Sequence, residues 1–80
     1  MKILVSIEQS ELRDLFFDAG NRKRLELCGE VEWNSLSRPY NRDELTEKLA
    51  YSDVCITGWH TEKITADMID PNVLRCIAHV

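Results

Sequence analysis

The strongest constraint on this chain is alternation: short apolar runs are separated by stretches of helical period from end to end. Lys2 to Ile7 is short and rich in β-branched residues, the pattern of a first strand. Ser10 stands where it can cap a helix whose apolar stripe is Leu12, Leu15, Phe16 and Ala19, which places Leu12, Leu15 and Phe16 in the core. Gly20-Asn21 marks an interruption, after which a further turn or two runs through Leu25 to Cys28 and stops at Gly29. Val31 and Trp33 alternate with Glu30, Glu32 and Asn34, as in a half-exposed edge strand. Asn34 to Tyr40 is loop, broken by Pro39. Asn41 followed by Glu44 is a helix-start pattern, and Leu45, Leu49 and Ala50 give that helix an apolar face. Asp53 leads into Val54-Cys55-Ile56-Thr57, whose continuous apolarity suits a strand covered on both sides. Gly58 to Lys63 is a polar loop. Thr65 opens a short helix carrying Met68 and Ile69, Pro71 ends it, and Leu74 to Val80 forms a fourth strand.

The order β-α-β-α-β-α-β predicts a parallel sheet with helices on both faces. Because the second strand is the least apolar, it belongs at an edge, which gives a flavodoxin-like α/β fold of strand order 2-1-3-4. Residues 1-80 are then one domain with an incomplete sheet. Nothing follows the fourth strand to cover its face or edge, so the sequence reads as interrupted there. An edge left open in this way favours a homodimer by strand pairing or exchange of elements.

Composition removes several function classes. Apolar residues make up 44% of the 80 and charged residues 30%, a globular balance without a run of the roughly 20 apolar residues a membrane span needs. Glu8 follows the first apolar run too soon for a secretory signal, so a cytoplasmic location is expected. Net charge is −4 and the sole basic cluster, Arg22-Lys23-Arg24, is answered by Glu26 and Glu30, which argues against nucleic acid. Three widely spaced cysteines suggest neither a disulfide framework nor a zinc site, and Cys55 and Cys76, inside apolar runs, are expected to be buried.

Open parallel sheets bind ligands outside the carboxyl ends of their strands, and that rule selects the candidate residues. Gly58, Trp59 and His60 follow the third strand, and His79 ends the fourth. For Gly58 and Trp59 the alternatives are a cleft wall, or a turn glycine with an indole packed on a helix. For His79 they are a cleft-lining ring or a structural histidine. His60 and His79 converging on a metal would lack a third ligand, so no metal is expected. Glu8, just after the first strand, is read as a solvated loop carboxylate, with reach into the same crevice as the alternative. No residue is assigned a catalytic or cofactor-binding role.

The segments Asp53-Val54-Cys55-Ile56-Thr57-Gly58-Trp59, Ile64 to Ile69 and Pro71 to Val80, together with Gly29 to Asn34, carry a resemblance. They resemble the N-terminal part of the substrate-binding domain in D-2-hydroxyacid dehydrogenases, the family that includes phosphoglycerate dehydrogenase. The resemblance implies a longer, NAD-dependent oxidoreductase acting on a small 2-hydroxy or 2-oxo acid. In that family a glycine loop after the fourth strand holds the substrate carboxylate. A Rossmann domain binds NAD, and an arginine, a glutamate and a histidine do the chemistry. All of these lie beyond Val80 by this matching, and His79 is not the family's catalytic histidine. The chain alone is therefore expected to be inactive and to bind no cofactor. Gly20, Gly29 and Gly58 are too far apart to form a phosphate-cradling turn.

Two other classes compete. A receiver-type signalling domain needs an aspartate after the third strand, where this chain has Thr57-Gly58. A stand-alone, non-catalytic interaction or regulatory module needs only the fold and a partner.

Overall fold

The computed structural model describes residues 1–80. Its four strands, β1 (Lys2–Val5), β2 (Glu30–Trp33), β3 (Val54–Thr57) and β4 (Cys76–His79), form one sheet in the order β2-β1-β3-β4. Every neighbouring pair is parallel. This is a four-stranded flavodoxin-like α/β sheet. The helices are α1 (Glu11–Phe16), α2 (Ala19–Cys28) and α3 (Arg42–Leu49), with one 3₁₀ turn at Ala66–Met68.

Side chains alternate across each strand, so the sheet has two cores. On one face Leu4 and Cys55 pack with Leu45 and Leu49 of α3, and with Tyr40, Met68 and Leu74. On the other, Ile3, Val5, Ile7 and Ile56 pack with Phe17, Leu25 and Trp33. Burial pushes the Cys55 thiol up to about 11.

The strand register is pinned at Asp53. Its N–H donates to the Lys2 carbonyl (2.9 Å), and its carboxylate accepts from the Lys2 N–H (2.7 Å). Its carbonyl accepts from the Arg75 N–H (2.7 Å), so one residue ties β1, β3 and the approach to β4. Gly29 is required by a close approach, because a Cβ there would stand 2.4 Å from the Met1 carbonyl oxygen. Its backbone is extended (φ 169°), so it does not end α2 as a left-handed cap.

The expected first helix is wrong in its phase. The chain breaks at Phe17, not at Gly20-Asn21, because Asp18 caps α2 by accepting from the Asn21 N–H (2.9 Å). Gly20 lies inside α2. In the six-residue α1 the buried side chain is Arg13, while Leu12, Leu15 and Phe16 are exposed (48%, 78% and 49%) and do not belong to the core. Cys76 is exposed as well, since the whole of β4 lacks a covering layer.

Candidate functional site

The sheet order reverses between β1 and β3: the chain leaves β1 toward β2 on one side and later places β3 on the other. Such switch points open a crevice at the carboxyl ends of the strands. Here that crevice is an apolar pocket. Ile7 and Glu8 enter it from the segment after β1, Leu12 and Phe16 from α1, and Gly58, Trp59 and His60 from the turn after β3; Val80 closes the β4 side.

Each wall has a local cause. Ser10 caps α1 by accepting from the Arg13 N–H (3.1 Å), which starts the helix directly over the end of β1. The Arg13 guanidinium then donates through Nη1 to the carbonyls of Ile7 (3.0 Å) and Asn34 (2.7 Å). This tie anchors the inner face of α1 and turns Leu12 and Phe16 toward the crevice. Burial lowers the Arg13 pKa, and its Nε has no partner. Thr61 shapes the turn after β3. Its hydroxyl accepts from the Gly58 N–H (2.9 Å) and lies 3.2 Å from Ser6 Oγ, while its own N–H donates to the Gly58 carbonyl (3.1 Å). At Gly58 a Cβ would stand 3.0 Å from Ile7 Cγ1, so a larger residue would press into the pocket floor.

Trp59 is 82% exposed and lines the pocket beside Leu12 and Phe16 as its outer wall. His60 Nδ1 lies 3.4 Å from Glu8 Oε2, across the pocket mouth. Glu8 is only 14% exposed at its side chain, so it is a lining carboxylate and not a solvated one.

The structure gathers Gly58, Trp59 and His60 here and sets His79 apart. Register pairs His79 with Thr57, and the imidazole Nδ1 lies 3.0 Å from Thr57 Oγ1 on the opposite face of the sheet. Gly58 and Trp59 also border that second, shallower hollow, together with Ile77 and His79. His60 and His79 therefore do not converge, and no group of three metal-ligating side chains exists. The glycines make no dinucleotide cradle: Gly20 is helical, Gly29 abuts Met1 and Gly58 abuts Ile7. These residues do not fit NAD.

Three positioning residues escape a reading of the sequence: Arg13, Asn34 and Thr61. Asn34 is wholly buried, with its amide donating to the carbonyls of Ser6 and Arg38 (3.1 Å each) and its Oδ1 accepting from the Leu36 N–H (2.9 Å). The available signal is an asparagine directly after an alternating strand, which suits a side chain that satisfies loop backbone.

No family model, curated protein or solved structure matches this chain. No helix is long and apolar enough to cross a membrane.

Proposed function

We propose that this chain is the N-terminal part of the substrate-binding domain of an NAD-dependent D-2-hydroxyacid dehydrogenase, contributing one wall of the substrate cleft. The observation that carries the reading is a coincidence of place. The segment of strongest resemblance, Asp53 to Val80, includes the turn after β3 and, just past β4, Val80, and both border the switch-point pocket. The pocket is apolar with a few polar groups at its rim, the usual make-up of a small-molecule site. On this reading the chain orients the substrate and excludes water, while hydride and proton transfer belong to NAD and to residues beyond Val80.

The test is an assay of the full-length gene product with NAD and a panel of D-2-hydroxyacids, beside the 80-residue chain. The full-length protein is expected to turn over at least one of them and the short chain none. Turnover by the short chain, or none by the full-length protein across the panel, would refute the reading.

One observation favours a second reading, a non-catalytic module that dimerises: every residue of β4 is exposed and β4 is a sheet edge. Self-association of the full-length protein through β4, without dehydrogenase activity, would select it.

A further inference from the structure

We infer that the switch-point pocket selects singly charged 2-hydroxy or 2-oxo acids with an apolar side chain, and that Glu8 turns away substrates carrying a second negative charge. The inference rests on the dehydrogenase reading and names its substrate class.

The substrate's own carboxylate belongs, on that reading, with groups outside these 80 residues, so this chain receives the other end of the molecule. What that end meets is Leu12, Phe16, Trp59 and Val80, all apolar. Three of them expose much of their surface to solvent: Leu12 48%, Phe16 49% and Trp59 82%. Apolar surface held open around a concave site gains free energy when a hydrocarbon group covers it.

The one acid in the pocket lining is Glu8, and no lysine or arginine forms an ion pair with it. Its partner is His60, at 3.4 Å across the mouth and largely in solvent. The Arg13 guanidinium donates to two backbone carbonyls and stands behind the lining, close enough for its charge to interact with Glu8. A second carboxylate or a phosphate on the substrate would enter beside the largely buried Glu8 carboxylate, the acid of the lining. Like charges brought together in such a place are strongly disfavoured.

The experiment uses the full-length gene product and compares kcat/KM for NADH-dependent reduction of 4-methyl-2-oxopentanoate with that for the dianion 2-oxoglutarate. The apolar acid is expected to be favoured at least about tenfold, and Glu8→Gln is expected to cut the ratio by about tenfold. Trp59→Ala, at a side chain no core depends on, is expected to lower kcat/KM for the apolar acid more than for the dianion. A preference for the dianion, or ratios unmoved in both variants, overturns the inference and leaves the dehydrogenase reading standing. Absence of turnover with every 2-oxo acid overturns that reading, and the inference with it.

Discussion

At the scale of single residues, the first helix shows where a periodic pattern misleads. Leu12, Leu15, Phe16 and Ala19 have the spacing of a core stripe only if the helix is continuous through residue 19. The aspartate at 18 is a strong cap and restarts the helix instead. What fixes the phase of the short α1 is a charged side chain, because Arg13 can satisfy two strand-end carbonyls that no leucine can. Hydropathy patterns have no means of ranking a buried arginine above three apolar neighbours. Arg13→Met should therefore destabilise the fold by about 2–4 kcal/mol in urea titration, since it leaves two carbonyls without their charged donor. A loss below about 0.5 kcal/mol, the range of an ordinary surface change, would show that the guanidinium is incidental. Glu8 shows a related limit: its place in the sequence favours a solvated loop carboxylate over one that lines the crevice. Its burial comes from α1 and from the turn after β3, which lie next to it in space and apart from it in sequence.

At the scale of elements, the parts that were legible are those whose signals are local. The start of α3 is the clearest case. The Asn41 side chain accepts from the Glu44 N–H (2.9 Å), and the Glu44 carboxylate accepts from the Asn41 N–H (2.9 Å), closing the reciprocal cap that the spacing announced. Arg38 adds a two-pronged pair to the same carboxylate, at 2.8 and 3.1 Å. The Arg38 hydrogen bonds, with the Asn41 backbone bond, hold the Glu44 carboxyl down at about 2. Its ordinary value is 4.5, so the folded state favours the ionised form. The stabilisation is therefore present above about pH 4.5 and is lost as pH falls toward about 2. Asn41→Ala should cost about 1 kcal/mol at neutral pH. Glu44→Gln should melt lower than wild type at pH 7, with the two melting temperatures converging near pH 2. A gap between them that stays constant with pH would contradict the cap. The third helix was legible in place but not in kind: with Thr65 before it and Pro71 soon after, the segment closes only one 3₁₀ turn, Ala66–Met68.

At the scale of the whole molecule, alternation of strand and helix leaves few arrangements, and the weak apolarity of β2 identifies one edge, so the order β2-β1-β3-β4 could be read in advance. The crevice followed from that order. Its chemistry did not, because it depends on which side chains the α1 break turns toward it. The same order makes β4 the other edge, and its hydrogen bonding shows how it would be used. Cys76 donates its N–H to the Asp53 carbonyl and Val80 to that of Thr57, so inward donors fall on alternate residues. The N–H groups of Ile77 and His79 therefore face outward, along a strand exposed on both sides. A second copy turned about a two-fold axis would set β4 against β4 in antiparallel fashion and make one continuous sheet. The 80-residue chain is accordingly expected to sediment as a concentration-dependent dimer. Ile77→Lys, which puts a charge in place of a half-exposed apolar group on that edge, should leave a folded monomer. If the chain is monomeric at all concentrations, the open edge is not an interface. If the chain dimerises and Ile77→Lys dimerises equally well, the contact lies elsewhere. On the dehydrogenase reading, residues beyond Val80 cover this strand, so Ile77→Lys should not alter the oligomeric state of the full-length protein. On the module reading it should dissociate the full-length protein as well, and that difference separates the two functions without any assay of chemistry.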